Sequence, residues 1–208
     1  MLAAEALVLL SLIPDGRTAH SGATDEVMSL GAAGALVAEL VLLERLGLDG
    51  RGRVEVRGGH AGHPLLDAAL DAVGPGPPSR LRSRLPGIAR RAGRRQVIDH
   101  LVARELVGRV KPRFLRPTRH PPQRGPHEQV LWRYRSAVAS DTPLLPLDAI
   151  VVGLSGPCRL LEVVAPERAT HGHARWRIGQ AIELVPVLRT VREAIEAQIA
   201  AAAAPVVT

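Results

Sequence analysis

The chain has 208 residues, of which 46% are hydrophobic and only 2% aromatic, and its formal net charge is +7 at pH 7. This length predicts one domain with a substantial core, and the scarcity of aromatic residues favours helices over a strand-rich fold. The single cysteine, Cys158, excludes an intrachain disulfide and fits a reducing cytoplasm. We interpret Cys158 as a packing residue.

The first two predicted elements are apolar helices. Residues 2–13 predict an amphipathic helix and not a signal peptide, because the segment lacks a basic start and carries Glu5. The second helix follows Thr24, a suitable N-cap, and is apolar around its whole circumference; we expect it to end at Gly47. The alternative is a membrane span, but this would be near the lower limit of about 17 residues and would bury Glu39 in lipid. We therefore predict a buried central helix.

The middle of the chain combines one strand with basic helices. The expected elements are a strand over residues 53–57 and helices over residues 64–73, 80–91 and 94–107. The second of these helices is expected to break near Pro86. The third begins with Arg94 and Arg95, and cations at that end oppose the helix dipole. However, free N–H groups beside arginine side chains suit a phosphate.

Residues 108–122 have no helical pattern and predict an exposed hairpin or loop. Phe114, the only phenylalanine, and Leu115 lie among cations, which is the composition of an apolar wedge that enters lipid headgroups. The alternative, that Phe114 packs back onto the core, is equally compatible with the sequence. The predicted membrane-contact residues are Lys111, Arg113, Phe114, Leu115 and Arg116.

The last part of the chain is predicted to be helical. Helices are expected over residues 127–140, 144–154, 158–165 and 174–203, with fraying over 200–208. Pro186 should kink the last of them. No internal repeat, glycine-rich phosphate loop or catalytic constellation stands out, so the sequence predicts neither an enzyme nor a cofactor.

Four histidines are candidate metal ligands by residue type. His60 and His63 share a glycine-rich loop, and His171 and His173 lie close together near the last helix. Neither pair has a carboxylate or cysteine at ligand spacing. We therefore predict no metal site and interpret these residues as solvated loop histidines.

The positive charge is concentrated in one part of the chain. Residues 79–119 contain thirteen arginines and lysines against two acids, a net charge of +11, which leaves −4 for the rest of the protein. Such asymmetry predicts an anionic partner, either a membrane surface, an acidic protein or a nucleic acid. Nucleic acid is disfavoured because the basic region almost lacks aromatic residues that stack on bases.

Five blocks in a fixed order carry a family resemblance. They are PDGR at Pro14–Arg17, GAAGALVAELVLLERLGLD at Gly31–Asp49, HAGHPLLDAAL at His60–Leu70, VIDHLVARELV followed by a basic stretch ending in TRHP at Thr118–Pro121, and LLPLDAIVVGLSGPCRLLEVVAP at Leu144–Pro166. From about Leu2 to Ala197 the chain resembles the Golgi phosphoprotein 3 family and its bacterial members. The resemblance implies one mainly α domain over residues 1–208: a helical bundle around a buried helix, surrounding amphipathic helices and a short β-hairpin.

The resemblance also implies a function and a site. Eukaryotic members are peripheral adaptors that bind phosphatidylinositol 4-phosphate, and their hairpin enters the membrane and mediates self-association. The four lipid-site positions of the family fall here on Thr24, Ala33, Arg95 and Ile98, so only Arg95 matches. Arg91 and Arg94 supply replacement charge. The predicted lipid- or phosphate-binding residues are Arg91, Arg94 and Arg95.

Two functions follow from these expectations. The first is a cytoplasmic, peripherally membrane-associated protein that binds anionic phospholipid headgroups, including phosphoinositides, and that self-associates through the hairpin. The alternative is a soluble adaptor that binds an acidic protein segment through the same basic face.

Overall fold

The computed structural model describes residues 1–18, 23–110 and 118–203. It confirms a mainly helical fold with a small antiparallel sheet. The helices are α1 (Ala3–Leu10), α2 (Asp25–Leu42), α3 (Pro64–Val73), α4 (Leu81–Ala92), α5 (Arg94–Ala103), α6 (Arg124–Ala139), α7 (Pro146–Ser155), α8 (Leu161–Val164), α9 (His171–Leu184) and α10 (Val187–Ala203). The strands are β1 (Leu46–Leu48), β2 (Arg53–Val56) and β3 (Ser79–Arg80).

Helix α2 is the centre of the molecule, as predicted. It packs against α1, α3, α4, α5, α7 and α10. The Thr24 hydroxyl accepts the backbone N–H of Val27 at 3.3 Å and so caps its first turn. Small residues allow the close approach of neighbours, since a Cβ atom on Gly34 would lie 2.2 Å from Cγ1 of Val191 in α10.

Helix α1 is buried around its whole circumference, so the expectation of an amphipathic first helix is wrong. Its neighbours are α2, α5, α6 and α7, and every residue from Ala3 to Leu10 is buried. Glu5 is tolerated there because its carboxylate accepts the N–H of Leu2 at 2.8 Å and pairs with Arg104.

The predicted end of the central helix at Gly47 is also wrong. The helix ends at Leu42, and Glu44 adopts the left-handed conformation (φ 57°), with the N–H of Arg45 donating to the carbonyl of Leu40 at 2.8 Å. Gly47 instead lies in β1. That strand pairs with β2, and β2 pairs in turn with β3 through the partners Arg53 and Arg80.

Proline affects the other helices in two different ways. Helix α4 continues through Pro86, contrary to the predicted break, and the nearby Leu85 and Ile88 are fully buried in the core. Pro186, by contrast, separates two helices, α9 and α10, where one kinked helix was expected. Helix α5 ends at Ala103, earlier than expected, and Glu105 beyond it is left-handed (φ 58°).

The outer surface carries exposed aromatic residues. Trp132 on α6 is 73% exposed and Trp176 on α9 is 49% exposed. Within the part of the chain that the structure describes, no helix has the length and apolar character that a membrane crossing requires.

Candidate anion-binding cleft

A concave site of about 780 Å³ opens between three parts of the chain. They are the loop after α1, the first turns of α2 and α5, and the segments on either side of residues 111–117. Five arginines and two aspartates contribute to its lining: Arg17, Arg94, Arg95, Arg109, Arg119, Asp25 and Asp99. We call this site the basic cleft.

One wall of the basic cleft depends on a close backbone contact. Gly16 has φ +82°, and its carbonyl accepts the N–H of His120 at 3.3 Å. A Cβ atom at Gly16 would lie 2.5 Å from that same nitrogen, so a side chain does not fit there. Beyond His120, Arg119 and Val110 exchange backbone hydrogen bonds of 2.9 and 3.1 Å, as expected at the base of a hairpin.

The opposite wall is the start of helix α5. Gly93 is its N-cap, no side chain caps the helix, and no acid lies in its first turn. Among the residues that the structure describes, no side chain accepts the first backbone N–H groups of α5. Arg94 and Arg95 follow directly, so cationic side chains and free N–H groups occur together at this helix end, which is the chemistry of an anion site.

The charges of the basic cleft are only partly neutralised. Arg94 pairs with Asp25 at 3.1 Å, and Arg109 pairs with Asp99. Five arginines against two aspartates give the described part of the lining a formal charge of +3. Among the described residues, Arg95 forms no ion pair. Arg94 is largely buried, and its Nε atom has no hydrogen-bond partner in the described structure.

His120 responds to this positive environment. Burial, and then the charges of Arg94 and Arg109, lower the pKa of His120 below its usual value. Its Nδ1 atom is buried without a partner in the described structure. The imidazole of His120 lines the basic cleft, and a bound anion would raise its pKa.

Comparison with known proteins identifies the family. The family model of Golgi phosphoprotein 3 (GPP34) matches residues 2–198, which is nearly the whole chain. The chain belongs to the Golgi phosphoprotein 3 family. A search of curated protein sequences finds no match. GPP34 is not a known family of enzymes.

The basic cleft of this GPP34 member includes two of the four positions that the resemblance assigns to lipid binding. Arg95 and Ile98 line it. Thr24 caps α2 immediately before the lining residue Asp25. Ala33 is fully buried within α2, so it contributes no group to the cleft.

The predicted site residues fall into three groups. Arg94 and Arg95 come together in the basic cleft. Arg91 is exposed in the last turn of α4, where its positive charge interacts favourably with the helix dipole. It does not line the basic cleft. The predicted membrane-contact residues Lys111, Arg113, Phe114, Leu115 and Arg116 lie outside the described residues.

Sequence reasoning did not single out three cations of this GPP34 site. Arg17 lies in the PDGR block, and Arg109 and Arg119 flank the predicted hairpin. The predicted hairpin or loop over residues 108–122 was the available signal, because a hairpin places the residues at its two ends next to each other. The structure shows this pairing at its ends, between Val110 and Arg119. The contact between Gly16 and His120 had no local signal in the sequence.

Proposed function

We propose that this protein is a peripheral membrane protein that binds anionic phospholipid headgroups in the basic cleft. The observation that carries the proposal is the set of five arginines around one concavity, with a formal lining charge of +3, beside an uncapped helix start. A phosphate there would meet guanidinium groups and free N–H groups together. Membership of the GPP34 family supports a phosphoinositide as one such headgroup.

Electrostatics set the expected strength and salt dependence of this binding. Each cation near an anionic membrane contributes about 1 kcal/mol. Arg95 has no ion pair among the described residues, so its full charge is available to a ligand. Raising the ionic strength should weaken binding, because exposed charges are screened over about 8 Å at physiological salt.

The proposal is tested by vesicle co-sedimentation with two matched charge reversals. Arg95→Glu should lower the affinity for vesicles containing phosphatidylserine or phosphatidylinositol 4-phosphate about 30-fold, since two charge units are worth roughly 2 kcal/mol. Arg91→Glu is the control, because Arg91 is also exposed and lies four residues away, yet is outside the basic cleft. Neutral phosphatidylcholine vesicles should not bind.

Each contrary result has a definite meaning. An equal loss of vesicle affinity in both variants would indicate that a diffuse basic surface, and not the cleft, binds the headgroups. Equal binding to neutral and anionic vesicles would contradict the proposal altogether. Lipid-free capture of an acidic peptide that is lost in Arg95→Glu, without vesicle binding, would favour the soluble adaptor. A rise in the pKa of His120 on adding a soluble headgroup, measured by NMR, would locate the anion in the cleft.

A further inference from the structure

Three side chains of residue types that can ligate a metal meet at a place that shares no residue with the lining of the basic cleft. They are Glu5 on α1, His63 at the N-cap of α3 and His100 on α5, and one ligand atom from each lies within 4.8 Å of the others. Glu5 Oε1 is 3.4 Å from His100 Nε2, and the two imidazole rings are 4.9 Å apart between centroids. We infer that these three residues bind a divalent transition metal, with Zn²⁺ as the best match.

The donor set and its geometry suit that ion. Zn²⁺ binds imidazole nitrogen and carboxylate oxygen at about 2.0–2.2 Å, and two histidines with one glutamate form a common three-ligand site that leaves a fourth position for water. Ligand atoms around a tetrahedral ion lie roughly 3.3 Å apart. The 3.4 Å separation of Glu5 and His100 already meets this distance. The ligand atom of His63 lies within 4.8 Å of the other two, so it would have to approach them by up to about 1.5 Å.

The carboxylate that would hold the metal is fixed in position. Glu5 is fully buried, and its Oε2 atom accepts the N–H of Leu2 at 2.8 Å. Because Oε2 is engaged in this hydrogen bond, Oε1 is the carboxylate oxygen that contacts cationic groups. A buried carboxylate requires a positive partner, and a metal ion is such a partner.

Arg104 is the competitor for the same oxygen. Its Nη1 atom donates to Glu5 Oε1 at 2.8 Å, but its side chain is 45% exposed and can move into solvent. Metal binding therefore exchanges a guanidinium for a divalent ion. This competition makes Arg104 a determinant of the metal affinity.

The state of His63 also bears on binding. Its Nδ1 atom accepts the N–H of Leu65 at 3.2 Å, so the neutral ring carries its proton on Nε2. Binding through Nε2 moves the proton to Nδ1 and releases the capping bond.

His60 provides an internal contrast. Its side chain is 91% exposed and lies 3.8 Å from Asp67, outside the cluster. His60 and His63 look alike in the sequence, where no carboxylate lies at ligand spacing. The fold supplies the missing ligands from α1 and α5.

The test is thermal denaturation of the full chain with ZnCl₂, together with the visible absorption spectrum of added Co²⁺. Zn²⁺ at about 100 times its Kd should raise the Tm of the wild-type protein by roughly 5–10 °C. His63→Ser keeps an oxygen to cap α3 but removes the imidazole, so it should abolish the shift. His100→Gln should abolish it too, and His60→Ser should retain it.

Arg104→Ala separates a metal site from a purely structural ion pair. Removing the competing guanidinium should lower the Kd for Zn²⁺ at least tenfold and intensify the Co²⁺ absorption bands. The inference is overturned if neither the wild-type protein nor Arg104→Ala responds to the metals. It is equally overturned if His63→Ser and His100→Gln respond as strongly as His60→Ser, because the metal then binds elsewhere.

Discussion

Replacing Gly34 with alanine should lower the free energy of unfolding by about 3 kcal/mol, at the upper end of the usual cost of overpacking. The new Cβ atom would lie 2.2 Å from Cγ1 of Val191. Val191 is fully buried and β-branched, so it cannot rotate away, and α10 would have to move off α2. The loss should exceed the gain in helix propensity, which is about 1 kcal/mol.

The same substitution at Gly179 is the matched control. Gly179 lies on the exposed side of α9, and no atom is within 4 Å of the position of a new Cβ. Gly179→Ala should therefore raise the free energy of unfolding by up to about 1 kcal/mol. Urea denaturation followed by circular dichroism measures both variants. If both variants change the free energy of unfolding in the same direction, the contact between α2 and α10 is not tightly packed.

Glu39 should make the protein less stable as the pH rises. Burial within α2 raises its pKa from 4.5 to about 7, and the nearby Glu5 adds to this, whereas the backbone N–H of Ala3 opposes it. Between pH 4.5 and 7 the folded protein therefore holds a proton that the unfolded chain releases. The associated stability is complete below pH 4.5 and is lost as the pH passes 7, a change of roughly 3 kcal/mol.

Glu39→Gln should remove this dependence on pH. The amide oxygen still accepts the N–H of Ala3, and the charge is gone. We expect the variant to gain about 2 kcal/mol of stability at pH 8, somewhat less than the full effect because the amide NH₂ is also buried, and to change little at pH 4.5. Urea titrations at both pH values measure the difference.

The control for this experiment is Glu193→Gln on the exposed side of α10. It should change the stability by less than about 0.5 kcal/mol at either pH. A gain from Glu39→Gln that is the same at pH 4.5 and pH 8 would contradict a raised pKa for Glu39.

Helix boundaries could be predicted from the sequence where a residue of characteristic local chemistry marks them. Thr24 and Pro64 mark helix starts through local chemistry, and both were predicted at the correct positions. The ends of α2 and α5, which were predicted several residues too late, are followed by Glu44 and Glu105 in the left-handed conformation. These residue types give no such signal, because glycine is the usual residue there.

Sequence reasoning identified only those residues of the candidate site that the neighbouring sequence marks. Arg94 and Arg95 were found because they open a helix, and Arg91 was grouped with them although it ends the preceding helix. Arg17 reaches the basic cleft through the contact of Gly16 with His120. That contact joins segments about a hundred residues apart, and no sequence pattern predicts it.

The exposure of Trp132 and Trp176 has a practical consequence for spectroscopy. Their indole rings already meet solvent in the native state, so intrinsic fluorescence should shift little when the chain unfolds. A blue shift on mixing with vesicles would instead report that lipid covers the outer faces of α6 or α9. The emission spectrum of this protein is thus a sensor of docking and a poor sensor of denaturation.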